Sequence, residues 1–346
     1  MYGQEVRVLT TNANGPDTVL DVSTSEDVRF SSELWVRYCH RVADVSVSPT
    51  LLRLLASYTS WADVVHLMSV YSFPTIPTLA ACRILGKPVV WSPRGMLQRW
   101  DGTKRPHLKT LWEIVCRSAS PKRLVLHATS DEEARESQSR LPDVQTVVIP
   151  NGVEIPGRIE RHSGLAERQF VYLGRLHPKK GLENLLDACK KVRQSLGISS
   201  QLTIAGDGDL SYVNSLRSRI QELGLSETVR MIGRVDGDAK KEFFENADVL
   251  IAPSHTENFG LVVAEALAHG VPVIASRGTP WSRLEEVGCG LWVENDPESL
   301  AAAIQRISTM PLREMGLRGR EWMQREFGWD SLAEKMTQVY RDLLAS

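Results

Sequence analysis

Short β-branched apolar runs alternate with stretches of helical period along the whole chain, the pattern of a parallel α/β sheet. In the first half the strands are expected at Val6–Thr10, Asp63–Met68, Pro88–Ser92, Leu124–Thr129 and Thr146–Ile149. In the second half they are expected at Phe170–Leu173, Leu202–Ala205, Val229–Ile232, Val249–Ala252 and Val271–Ala275. The runs VLIAP and VPVIA are apolar almost throughout, as strands covered on both faces are. Leu182, Leu185, Leu186, Cys189, Val192 and Leu196 follow i, i+3, i+4 spacing and predict one helix, with Gly197 as its stop. Pro150-Asn151-Gly152 is a turn signal, and the polar stretch from Pro156 to Arg168 has no period. A domain boundary is therefore expected near 150–168, with the strand–turn–helix pattern restarting at Phe170.

The 346 residues correspond to roughly two domains. At 42% hydrophobic and 24% charged the composition excludes a disordered chain, a fibre and a coiled-coil rod. The net charge of −1 offers no case for nucleic acid as a partner. Five widely spaced cysteines without a C-x-x-C argue against a disulfide framework or a zinc site. With no apolar run near the roughly 18 residues of a membrane helix and no readable signal peptide, the expected location is cytoplasmic. Charge is nevertheless uneven. Between Arg83 and Arg123 ten basic residues face two acidic ones, a local +8, with Trp91, Trp100 and Trp112 interleaved. One reading is a surface for anionic lipid headgroups, which would make the chain peripheral on the inner membrane face. The other is a solvated helix–loop surface over core tryptophans.

Candidate chemistry concentrates in the second half. In Ala247–Ser276 a strand ends at Pro253-Ser254, a polar turn carries Glu257, and a helix is expected from Phe259-Gly260 to about His269. The first amides of a helix lack intrahelical acceptors and sit at the positive end of its dipole, so they suit phosphate. Glu257 lies at the carboxyl end of a parallel strand, where ligands of α/β proteins bind. Glu265, inside the helix, can accept from two vicinal hydroxyls of a ribose or sugar. Two glutamates eight apart would otherwise be ordinary surface charge. After the strand at Phe170, Gly174 permits close backbone approach. Arg175 and Lys180 can neutralise a diphosphate, one as a fork and one as a point charge. The competing reading is a basic surface turn.

These stretches carry a resemblance. Gly174–Gly181, GRLHPKKG, resembles the GRL-x-x-x-KG motif of the retaining family-four glycosyltransferases, which have the two-Rossmann GT-B fold. TENFGLVVAEALAHGVPVIAS resembles their E-x7-E block, IAGDGDL their strand followed by G-x-G, and MIGRV their base-side loop. VIPNGV is similar to the interdomain turn, and FGWDSLAEKMTQVYRDLL to the last helices, which return to the first domain. Ser92–Leu97, SPRGML, resembles a subgroup of bacterial polysaccharide-assembly transferases. The resemblance implies an α/β chain of two Rossmann-like doubly wound domains facing a cleft. An acceptor-side domain would span 1–155, a nucleotide-sugar domain 156–326 and a returning helix 327–346.

It also implies roles. Arg175 and Lys180 would bind the donor diphosphate, and Glu257 would contact the transferred sugar, which makes these three the catalytic set. Glu265 would hold the ribose hydroxyls. Gly174 and the amides of Asn258, Phe259, Gly260 and Leu261 would meet sugar and phosphate, with Arg234 and Val235 beside the base. No metal and no cofactor is implied. The partners are a nucleoside-diphosphate sugar and a glycan or lipid-linked acceptor.

The first half departs from the pattern. His66 ends a strand like the family's D-V-V-H, and is either a ligand-side residue or a satisfied core histidine. Arg94, before Gly95, stands where many members have a histidine before glycine; it either faces the donor sugar or opens the basic loop. Ser130 is expected to cap the helix that begins DEEAR. The chain opens where the family has already completed a strand, a glycine-rich loop and a helix, roughly 30 residues of a βαβ unit. The expectation is therefore an incomplete first domain, through a misassigned start or a true truncation. A non-catalytic nucleotide-sugar-binding or scaffold protein is the alternative function that follows.

Overall fold

The computed structural model describes residues 3–15, 18–44, 46–98, 105–157, 159, 168–196 and 200–345. Arg99, Trp100 and Lys104 of the basic segment, most of the 158–167 stretch and Gly197 lie outside them. The chain divides into two compact units. One holds Met1–Ile149 and Ala333–Ser346, the other Pro150–Leu332.

The second unit is built on six parallel strands in the spatial order Val229–Gly233, Ser200–Ala205, Arg168–Leu173, Val249–Ala252, Val273–Ser276, Gly290–Val293. Counted along the chain this is third, second, first, fourth, fifth, sixth, the doubly wound order whose direction switches between the first and fourth strands. Alternation along Arg168–Leu173 fills both faces. Phe170 and Tyr172 pack with Leu182, Leu185 and Leu186 of the helix Leu182–Leu196. Val171 packs on the other side with Phe244 and Val263. Helices cover both faces, which explains why VLIA and VIAS are buried at every position.

Among the described residues the first unit has two larger sheets and a two-stranded hairpin, Ala13–Asn14 with Thr18–Val19. Val65–Met68, Val89–Ser92, Leu124–Ala128 and Gln145–Val148 form a parallel four-stranded sheet in chain order. Val6–Thr11 pairs in parallel with Leu34–Cys39, which also takes the short antiparallel strand Val28–Arg29. Val6–Thr11 and Val65–Met68 each stand at the edge of their own sheet. Val6 and Val8 remain 46% and 38% exposed there.

All five cysteines are free, four of them buried. Among the described residues no helix is long and apolar enough to cross a membrane, and no cluster of side chains has metal-ligand geometry.

Candidate functional site

The loops at the carboxyl ends of the first and fourth strands of the second unit meet at its switch point. Gly174 extends the first strand, its N–H donating to Ala205 O at 3.1 Å. Leu176 N–H donates to Asp207 O at 2.7 Å, so the loops after the first two strands continue to pair. Glycine is required for this. A Cβ on Gly206 would stand 1.8 Å from Gly174 O, at a φ of +146° that side chains avoid. Tyr172 Oη donates to Arg175 O at 3.1 Å and holds the turn that presents the exposed Arg175.

Lys180 ends a single 3₁₀ turn, Pro178–Lys180, capped by His177 Nδ1 accepting from Lys179 N–H at 3.1 Å. His255 N–H donates to Lys179 O at 2.9 Å and ties this turn to the loop after the fourth strand. The Lys180 ammonium pairs with Glu257, and both side chains are about four-fifths buried, 20% and 19% exposed. Ser254 Oγ reaches the same Glu257 oxygen at 3.3 Å.

The helix expected at this point runs Leu261–Ala268. Gly260 caps it with φ +74°, and Trp281 Nε1 donates to Phe259 O at 2.6 Å just before it. The Phe259 side chain is buried and stacks on Trp281 and Phe327, so it anchors the loop while its backbone stays at the helix entrance. Asn258, Phe259, Gly260 and Leu261 thus form the entrance to a helix whose positive end lies one turn from the Lys180–Glu257 pair. Glu265, in the same helix, takes Lys240 Nζ on Oε1 at 2.6 Å. Lys240 belongs to the helix Gly237–Glu245, which follows the loop of Arg234 and Val235. Arg234 is exposed and pairs with Asp236 at 3.2 Å, while Val235 packs into the core.

The structure gathers Gly174, Arg175, Lys180, Glu257, the 258–261 backbone and Glu265 at one end of one sheet. The entry and exit of this unit are joined as well. Val153 N–H donates to Phe327 O at 2.9 Å, and Gly152 lies against the Trp329 ring.

The first-unit candidates divide. His66 Nε2 meets Ser92 Oγ at 2.7 Å, and Ser92 Oγ meets His127 Nδ1 at 2.8 Å. His127 Nε2 faces Ile149 O at 2.8 Å. A carbonyl only accepts, so His127 carries its proton on Nε2 and accepts on Nδ1 from Ser92. Ser92 oxygen then accepts from His66 Nε2–H, and His66 Nδ1 accepts from Tyr340 Oη at 2.6 Å. Both His66 nitrogens are therefore engaged within the unit. Of the two readings of His66, the satisfied core histidine is the one its contacts describe.

Burial lowers the His66 pKa from 6.5 to about 4, with His127 and the Arg94 cation adding to the effect, and burial lowers His127 as well. The unfolded chain takes up these protons first, so the stabilisation is complete above about pH 6.5 and is lost as pH falls toward 4. The melting temperature should fall across that window, and His66→Gln should flatten the slope. Equal slopes in scanning calorimetry at stepped pH would contradict the assignment.

Arg94 is half-buried at φ +55°, with the Glu133 carboxylate among the charges acting on it. Burial lowers its pKa, although Glu133 opposes the shift. Gly95 N–H donates to Glu133 Oε1 at 2.5 Å, and Thr129 N–H and Oγ1 both donate to Oε2 at 2.7 Å. Glu133 is fully buried and shapes the Pro93–Gly95 turn, a role that sequence reasoning missed. The signal was present, since Ser130 caps the helix Asp131–Arg140 and Glu133 stands three residues on, the spacing of a capping box. Lys240 was missed too.

Comparison with known proteins agrees with this architecture. The family "Glycosyl transferases group 1" matches residues 159–322, and "Glycosyltransferase Family 4" matches residues 2–155. A D-inositol 3-phosphate glycosyltransferase of Acidothermus cellulolyticus is 34% identical over 215 residues, 57% of this chain and 48% of its own. The chain thus spans about half the length of such relatives. A phosphatidyl-myo-inositol mannosyltransferase of Mycobacterium leprae is 29% identical over 360 residues, 99% of this chain and 90% of its own. Among solved structures, sucrose-phosphate synthase from Thermosynechococcus elongatus aligns with a TM-score of 0.77 at 22% identity, over 99% of this chain and 90% of that one. Anabaena HepE in complex with UDP aligns with a TM-score of 0.73 at 17% identity, over 89% and 86%. One glycosyltransferase family model thus matches each half of the chain, and its fold is that of the GT-B glycosyltransferases.

Proposed function

We propose that the chain transfers a sugar from a nucleoside-diphosphate sugar to a glycan or lipid-linked glycan acceptor, with retention of anomeric configuration, in cell-surface polysaccharide synthesis. The observation that carries this reading is the convergence of Arg175, Lys180, Glu257 and the Leu261–Ala268 helix entrance at the switch point of one parallel sheet. HepE, a structural neighbour, was solved with UDP and with UDP-glucose, which supports a nucleotide-sugar donor.

In this reading Arg175, Lys180 and the helix amides hold the diphosphate. As the bond from the anomeric carbon to the phosphate oxygen breaks, the electron pair leaves with the diphosphate, and fixed cations stabilise the growing charge. The acceptor hydroxyl forms the new bond on the same face, and its proton passes to the departing phosphate oxygen. Glu257, held by Lys180 and Ser254, orients the sugar and forms no covalent bond to it. Gly95 and Arg94 stay on the acceptor side, and Arg234 and Val235 beside the base. The test is nucleoside diphosphate release by the purified chain with a panel of donors, with product configuration read by NMR. Tight donor binding without turnover would favour the scaffold reading, and no donor binding would remove both.

Glu265 has one carboxylate oxygen on Lys240, which leaves the other for a ribose hydroxyl. Glu265→Ala should raise the donor KM about 10–100-fold, the value of one charged hydrogen bond, with a smaller change in kcat. The penalty should shrink for donors lacking a ribose hydroxyl. A kcat loss with unchanged KM would remove Glu265 from the ribose.

A further inference from the structure

The basic segment of the first unit contains a helix with two apolar faces. Pro106–Ala119 turns Trp112, Glu113 and Cys116 inward. Trp112 Nε1 donates to Val70 O at 2.8 Å, and Glu113 accepts from Tyr71 Oη. This side is a complete anchor. The opposite side carries Leu108, Leu111, Ile114 and Val115, exposed by 60%, 58%, 56% and 40%. Their i, i+3, i+6, i+7 spacing makes a continuous stripe on the helix. Single exposed apolar residues are ordinary, but four on one stripe mark an interaction surface. Ile84, 82% exposed, is next to Arg83, whose guanidinium donates to Ser118 O at the end of this helix.

Charge around the stripe selects the occupant. The only acid in the helix, Glu113, is 5% exposed and faces inward. Arg105 precedes the helix and Lys122 follows it, both exposed. Three other described cations of the segment are committed elsewhere. Arg117 pairs with Asp143, Arg123 donates to Gly86 O at 2.9 Å, and Lys109 lies 4.8 Å from the Tyr71 ring centroid. The segment is therefore less a sheet of free charge than an apolar stripe with cations at its ends. An apolar strip bordered by cations matches an anionic bilayer, with acyl chains under the strip and phosphates at the rim.

We propose that the Pro106–Ala119 helix docks in the interface of an anionic lipid bilayer, with Leu108, Leu111, Ile114 and Val115 inserted and Arg105 and Lys122 at the headgroups. Insertion sets this apart from adsorption by charge. Electrostatic adsorption fades as salt shortens the screening length, whereas the apolar contribution remains. Docking would bring a lipid-linked acceptor to the first unit. The proposal deepens the lipid-linked reading, but its test needs no turnover, so either can fail alone.

The experiment is vesicle co-sedimentation of the full chain with phosphatidylcholine alone and with phosphatidylglycerol added, at low and high salt. Binding to the anionic vesicles should persist in part at high salt. Leu108→Asp with Leu111→Asp should reduce it about 10-fold or more for each residue changed. Arg105→Glu with Lys122→Glu should remove the preference for anionic vesicles. All four positions are exposed, so an unchanged melting temperature identifies a folded variant. Should the aspartate pair lose its fold, Leu111→Ser with Val115→Ser gives the same reading at smaller amplitude. Vesicle binding that survives the apolar variants, or that high salt abolishes, overturns insertion. A concentration-dependent dimer, dispersed by the same variants while vesicle binding is unchanged, assigns the stripe to a second copy and also overturns it.

Discussion

Lys180→Ala is expected to lower kcat/KM for nucleotide-sugar transfer by about 10²–10³-fold, the value of one preorganised group on developing charge. Lys180 is held on three sides. The 3₁₀ turn sets its backbone, His255 N–H ties the preceding carbonyl to the neighbouring loop, and Glu257 takes the ammonium. A cation fixed in this way need not reorganise as the diphosphate departs. The loss should fall more on kcat than on KM, because the charge it meets is largest in the transition state. Lys180→Arg should restore little, since a planar fork does not occupy the site of a compact ammonium beside Glu257. Steady-state release of nucleoside diphosphate measures this, and turnover like that of the unmodified chain by Lys180→Ala would remove Lys180 from the site.

Gly206→Ala should be among the most damaging single changes in the second unit, costing about 2–5 kcal/mol through backbone overlap and a strained φ together. The new Cβ would meet Gly174 O at 1.8 Å, and backbone cannot rotate away as a flexible side chain can. To relieve the overlap the loops after the first and second strands must part, and that shifts Arg175 as well. The melting temperature should drop by about 5–15 °C. Gly224→Ala is the control, at φ +70° with nothing within 4 Å of its Cβ. It carries strain without overlap and should cost about 1 kcal/mol. Equal losses for the two would show that conformational strain, not loop approach, governs Gly206.

The strands of the second unit were readable because each is a short apolar run closed by a turn residue. Val249–Ala252 appears with the expected ends, and its neighbours shift by one or two residues. Two strands of four or more residues escaped the reading, besides three two-residue pieces near the start. Leu34–Cys39 (LWVRYC) carries a charge in its middle, and Arg37 lies 3.9 Å from Asp27. Such a residue breaks an apolar run in sequence while being accommodated in space. Gly290–Val293 is short, starts with glycine and forms a sheet edge, so its pairing with Val273–Ser276 supplies what propensity lacks. The division of the first unit into separate sheets also lay beyond periodicity, which reports strands but not their partners.

The sequence by itself determined the class of fold, most of the strands of the second unit and the residue types at their carboxyl ends. Local spacing encodes these, since an apolar period sets a face and a glycine or proline sets a turn. Tertiary structure alone decided which side chains meet. Lys180 and Glu257 are 77 residues apart, Lys240 and Glu265 are 25 apart, and Gly95 is 38 from Glu133. It likewise decided that His66 is satisfied inside its unit, and that Leu108, Leu111, Ile114 and Val115 face outward. Periodicity records that a helix has an apolar stripe, but whether a protein core covers that stripe depends on elements distant in the chain.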